Sequence, residues 1–199
     1  MIANRSKTKL TVDEFLEEFT GVDDGNLYEL QDGEVVATPP PGSEHGELHF
    51  VLGWLIGIYE EAHPGIRGFD ASGIEFSDDT LRGPDVSIFK DSDTAIFKKS
   101  RVQGVPSVIV EIVSPGKPRL DLVRKRGLYT SVGVAEIWFL DPESAEALFL
   151  CKERSGKYVE TRLTVGMFES KALKGMRIDI AALFALDKRR LRKALERKV

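Results

Sequence analysis

Hydrophobic positions recur along this chain at two spacings, and the changes between them mark the elements. Thr11-Val-Asp-Glu14 has the form of a capping box ahead of VDEFLEEF and predicts a short helix. The segment 26–39, NLYELQDGEVVATP, holds two apolar runs about Asp32-Gly33, the pattern of a hairpin. Prolines 39–41 and Gly42 stop it. Ser43 is placed to cap a helix reaching about His63, with Leu48, Leu52, Leu55, Ile56 and Tyr59 at helical spacing. Strand-like runs follow at 66–70, 73–76, 84–89 and 106–113. The last of these, PSVIVEIV, is apolar enough for a central strand covered on both faces. Pro118 suits the first turn of a helix to about Val132, with Gly133 as its C-terminal stop. AEIWFLD at 135–141 reads as a strand, and ALFLCKER, Gly156 and KYVETRLT as a second hairpin. The run 178–186, IDIAALFAL, reads as a closing helix. This order predicts an α/β domain: a mixed β-sheet flanked by helices, with an N-terminal β-hairpin.

Composition refines the picture. The 199 residues are 42% hydrophobic and 30% charged, enough for a buried core in one domain. The organisation expected is a flexible N-terminus (1–10), a domain over 11–187 and a basic C-terminal extension (188–199). That last stretch carries seven basic residues and one acidic, whereas the rest of the chain carries 21 basic and 31 acidic. An acidic body argues against a surface that coats DNA without specificity. Cys151 is the only cysteine, so an internal disulfide and a cysteine-based zinc site are excluded. No apolar run is long enough to span a membrane, and MIANRSKTKL lacks the apolar stretch of a signal peptide, so a cytoplasmic location is expected. Phosphate-loop, dinucleotide-binding and nucleophile-elbow motifs are absent.

The candidate chemistry lies in two apolar strands. Asp85 interrupts Pro-Asp-Val-Ser-Ile-Phe, and Glu111 interrupts Val-Ile-Val-Glu-Ile-Val. A carboxylate in such a strand needs a partner. Either each sits at a strand end, solvated or paired with an arginine, or the two lie side by side as a hard-oxygen site for Mg²⁺ or Mn²⁺. Lys125 adds a third feature, because Leu122, Lys125, Tyr129 and Val132 share one helix face. Its stem either packs while the ammonium escapes to the edge, or the ammonium is aimed at Glu111 and a substrate phosphate. Asp121, one turn earlier, is placed to orient it.

The segments YELQDGEVV, PPPGSEHGELH, RGPDVSIF, VEIVSP, DLVRKRGLY and GVAEIWFLDP, in this order, resemble the Uma-two family of endonucleases. That family belongs to the restriction-endonuclease-like PD-(D/E)XK superfamily, and the likeness spans roughly 11–186. The resemblance implies a metal-dependent enzyme that hydrolyses DNA phosphodiesters, with Asp85 and Glu111 as ligands of Mg²⁺ or Mn²⁺. The superfamily places a lysine two residues after the glutamate, where this chain has Val113. Lys125 on the following helix is the natural replacement. The same resemblance draws in Glu44 as a further metal ligand from the first core helix, with Glu29 and His45 as accessory candidates; Asp121 and Tyr129 on the Lys125 helix are accessory candidates by spacing, and Ser114, in the loop after the central strand, either bonds a ligand or phosphate or shapes the turn. His45 and His49 stand four apart, but His-Gly-Glu-Leu-His is not the zinc-protease motif, and a hydrogen-bonding role near the site suits His45 better. A homodimer would match the need to cut two strands. RNA is not separated from DNA by sequence, and no membrane partner is expected. Val113 leaves open the alternative of a catalytically inactive nuclease-like fold that binds nucleic acid or protein.

Overall fold

The computed structural model describes residues 9–114 and 119–196, and their side chains except those of 119–121. The first half of the chain contains α1 (Val12–Phe19), β1 (Leu27–Gln31), β2 (Glu34–Thr38), α2 (Ser43–Ala62), β3 (Ile66–Asp70), β4 (Ile74–Ser77), β5 (Thr80–Arg82), β6 (Val86–Lys90) and β7 (Ala95–Phe97). Then come β8 (Val102–Gly104), β9 (Val108–Ile112), α3 (Arg119–Val132), β10 (Glu136–Asp141), β11 (Glu146–Lys152) and β12 (Tyr158–Leu163). The last elements are β13 (Met167–Glu169), β14 (Arg177–Asp179), α4 (Ile180–Phe184) and α5 (Lys188–Glu196). The chain divides into two units. One comprises the chain up to Pro40, Gly73–Gly83 and Ala95–Gly104. The other comprises Pro41–Ser72, Pro84–Thr94 and the chain from Val105 onward.

The first unit is built on a six-stranded sheet of order β2-β1-β5-β4-β8-β7. Its hairpin turns at Asp32 (φ 50°) and Gly33 (φ 79°), the doubly left-handed geometry that an Asp-Gly pair accommodates and that matches strand twist. α1 starts on the expected capping box, with Glu14 accepting the Thr11 N–H at 2.8 Å. Val12 and Phe15 of this helix pack on Leu30 and Leu81.

The second unit carries a six-stranded sheet of order β12-β11-β10-β9-β6-β3, and β13 pairs with β14 beside it. β9 and β10 are parallel and joined through α3, and the other pairs of the large sheet are antiparallel. Val108, Val110 and Ile112 of β9 pack in one core with Leu48, Leu52, Leu55 and Ile56 of α2. By strand alternation Ile109 and Glu111 face the other side, where α3 lies.

Several sequence expectations change. The strands of the middle region do not join one sheet: β4 belongs to the first unit, and β3, β6 and β9 to the second. The three-residue strands β5, β7 and β8 were unexpected, because TLR, AIF and VQG are too short to show a period. Ser43 is the first helical residue and Gly42 holds the cap position. The closing helix starts at Ile180, because Asp179 accepts the Ala182 N–H and caps it, leaving 177–179 to β14. The helix start expected at Pro118 lies outside the described residues. Finally, 188–196 is not a free extension: α5 buries Leu191 fully in the main core and Ala194 nearly so. Its basic residues outnumber these two buried positions, which is why composition shows only a basic extension. Leu191→Ala is therefore expected to destabilise the fold by about 2–5 kcal/mol, read as a lowered urea midpoint. A midpoint equal to the parent's would return α5 to the status of an appendage.

Candidate active site

Asp85 and Glu111 meet because β6 and β9 are antiparallel neighbours, with Val86 opposite Val110. Asp85 stands at the bend just before β6. Its Oδ2 accepts the Ile112 N–H at 2.6 Å, which fixes the carboxylate beside the end of β9. Its backbone carbonyl accepts the Ala71 N–H at 3.0 Å, tying the bend to the chain after β3. The side chain keeps 20% exposure, whereas Glu111 is buried.

Glu111 projects toward α3, and α3 answers with two donors one turn apart. Lys125 Nζ lies 2.6 Å from Oε2, and the Tyr129 hydroxyl donates to Oε1 at 2.5 Å. Lys125 is itself 8% exposed, so its ammonium ends inside the site and not at the edge. Burial pushes the Glu111 pKa up, and the Asp85 charge adds to this; Lys125 and the Tyr129 hydroxyl oppose it without cancelling it. Burial acts in the same sense on Asp85. There it is outweighed by the hydrogen bond and charge of His45, the Ile112 N–H and the Lys125 charge, and the pKa falls below its ordinary value. The two neighbouring carboxylates are thus driven apart in acidity, an arrangement common at functional sites.

α2 supplies the third side. Near its N-terminus His45 places Nε2 3.1 Å from Asp85 Oδ1. Since a carboxylate only accepts, this nitrogen carries the proton. The other ring nitrogen, Nδ1, is buried without a hydrogen-bond partner among the described residues. One turn later His49 Nε2 lies 2.8 Å from the Asp85 carbonyl and 2.6 Å from Asp70 Oδ1, linking the bend to the end of β3. Thus the two histidines both serve Asp85 and do not form a paired zinc site.

Asp85, Glu111, Lys125, Tyr129 and His45 therefore converge. Glu44 and Glu29 do not. Glu44 is exposed, and the side chain that the first turn of α2 delivers to Asp85 is His45. Glu29 is spent within the first unit, pairing with the buried Arg82 at 3.1 Å and accepting the Gly83 N–H at 2.7 Å. Ser114 is partly buried two residues past β9. The side chain of Asp121 lies outside the described residues. His49 as an anchor of the bend, and Asp70 with it, escaped sequence reasoning. Their only signal was the four-residue spacing of the histidines.

The donor set fits a hard divalent cation. Two adjacent carboxylates suit Mg²⁺ or Mn²⁺, and such ions keep waters and take substrate oxygens in their remaining positions. A closed cage does not fit: among the described residues no group of three or more His, Cys, Asp or Glu is arranged to hold a metal. None of the described helices is long and apolar enough to cross a membrane.

Comparison with known proteins bears on this geometry. A crystal structure described as a putative nuclease belonging to DUF820, from Anabaena variabilis, shares the fold with a TM-score of 0.71. The alignment covers 88% of this chain and 98% of that one at 18% identity, a likeness of fold. No curated protein matches the chain. Residues 12–181 match the model of the Uma2 family, described as "Putative restriction endonuclease", and the chain belongs to that family.

Proposed function

We propose that this Uma2 protein is a metal-dependent endonuclease that hydrolyses DNA phosphodiester bonds at Asp85, Glu111 and Lys125. One observation carries the reading: a buried carboxylate, Glu111, is held between an ammonium and a hydroxyl beside a second, partly exposed carboxylate. A merely structural ion pair would not need the second carboxylate, and burying three ionisable groups together is costly.

Asp85 and Glu111 would hold Mg²⁺ or Mn²⁺. When bound, the ion supplies Lewis acidity toward the phosphodiester and makes an attacking water more acidic. The protein's own groups do the rest. His45 and the Ile112 N–H fix the Asp85 carboxylate, and Tyr129 fixes that of Glu111. Lys125 stabilises negative charge developing on the phosphoryl oxygens. A second reading, an inactive nuclease-like binding module, is favoured by Val113. This residue stands where the superfamily has its lysine, and it lines a cavity of about 510 Å³ with Leu122, Phe139 and Leu148.

The test combines cleavage and binding on the whole protein. Nicking of supercoiled plasmid is expected with Mg²⁺ or Mn²⁺ and not with EDTA. Calorimetric titration with Mn²⁺ should show millimolar or tighter binding that Asp85→Ala abolishes. Metal binding without cleavage of DNA, and with cleavage of RNA, would move the substrate to RNA. Neither binding nor cleavage would favour the inactive module.

A further inference from the structure

α2 carries an aromatic surface that the Asp85–Glu111 centre does not use. Phe50 is 70% exposed in the body of the helix. Lys188 Nζ lies 4.4 Å from the centre of its ring and 5.4 Å from that of Trp54. The Arg192 guanidinium carbon is 5.8 Å from the Trp54 ring. Beside these rings a groove of about 580 Å³ runs along α2 and β3, lined by Phe50, Trp54 and Phe69 and reaching His49 and Asp70. Gly46, Gly53 and Gly57 shape its α2 wall, and a Cβ at any of them would meet nothing within 4 Å. Its carboxylates are engaged: Glu60 accepts the Gly68 N–H at 3.5 Å, and Asp70 pairs with His49. The cations come from α5, whose KRRLRKALE carries five basic residues and one acidic in a chain of net charge −4.

We propose that this groove binds an unpaired stretch of a nucleic-acid strand, with a base stacked on Phe50 and neighbouring phosphates paired with Lys188 and Arg192. Exposed aromatic faces beside cations are how proteins hold single strands without reading sequence. A duplex hides its base faces and would leave Phe50 unused. The proposal rests on the nuclease reading, because His49 joins the groove to the Asp85 carbonyl, and it adds that the substrate is single-stranded there.

The experiment measures binding by the full-length protein in EDTA, so that cleavage plays no part. Fluorescence anisotropy compares labelled oligo(dT) and oligo(rU) of about twenty nucleotides with a duplex of equal length. Both single strands are expected to bind more tightly than the duplex, and preference for one names the natural strand. Phe50→Ala should weaken single-strand binding about tenfold and leave duplex binding unchanged. Since Phe50 is exposed, its circular dichroism should match the parent's. Lys188→Gln with Arg192→Gln should flatten the log–log salt slope by about 1.4. Equal affinity for duplex and single strand, or parental binding by Phe50→Ala, would overturn the proposal. So would a dimer in sedimentation that Phe50→Ala dissolves while no oligonucleotide binds. Binding with these properties but no cleavage in Mn²⁺ would sink the nuclease reading and leave the groove standing.

Discussion

Lys125→Met is expected to cleave DNA about 10²-fold or more slowly than the parent while still binding Mn²⁺. The methionine keeps the packing of the lysine stem and removes the charge. The Asp85 and Glu111 oxygens remain, so metal binding survives. Tyr129 still donates to Glu111 and holds its carboxylate in place. Cleavage at the parental rate would reduce Lys125 to a structural counterion. A stricter check adds Val113→Lys to Lys125→Met. Position 113 follows β9 directly and lines, with Leu122 and Phe139, a cavity with room for a longer side chain. Partial recovery of cleavage would show that an ammonium beside the centre is what matters, whichever element carries it.

Removing either carboxylate is expected to lower metal-dependent cleavage to background, with different effects on stability. Asp85→Asn alters a partly exposed group and should leave a folded protein. Glu111→Gln breaks the buried Lys125–Glu111 pair from one side, a loss of about 3–5 kcal/mol. The double variant Glu111→Gln with Lys125→Met removes both charges and should recover much of that stability. It should recover none of the cleavage. Urea unfolding and plasmid nicking on the same four proteins separate the two roles. If the double variant regained stability while Glu111→Gln alone cut as fast as the parent, the pair would be structural only.

Much of the fold was legible because it rests on local rules. The capping box at Thr11–Glu14, the Asp32-Gly33 turn, the long helix of 43–62 and the left-handed Gly133 (φ 89°) each follow from a few neighbouring residues. The partition of strands between two sheets was not legible. β4 and β6 are close in sequence and alike in pattern, and strand pairing is decided by partners far along the chain. The burial of Leu191 was hidden for a similar reason, since one leucine among arginines and lysines shows its worth only when α2, α4 and β14 pack around it.

The site divides in the same way. The amino-acid sequence by itself determined that Glu111 lies in an apolar strand and that Lys125 and Tyr129 share a helix face; Asp85, read as part of a strand, stands at the bend just before β6. Burial and period follow from composition and spacing. The same rule of a carboxylate in an apolar strand applies to Glu136, the first residue of β10, which is buried too. Only the tertiary structure shows that Glu136 is consumed by Trp138 Nε1, Ser170 Oγ and the N–H groups of Lys171 and Ala172, as an anchor for the turn before β14. Glu111 instead meets Lys125 and Tyr129 next to Asp85. Tertiary structure likewise decided for His45 over Glu44, adjacent residues in one helical turn. A helix sets them about 100° apart, and only the docking of α2 on the sheet selects which of the two faces the carboxylate.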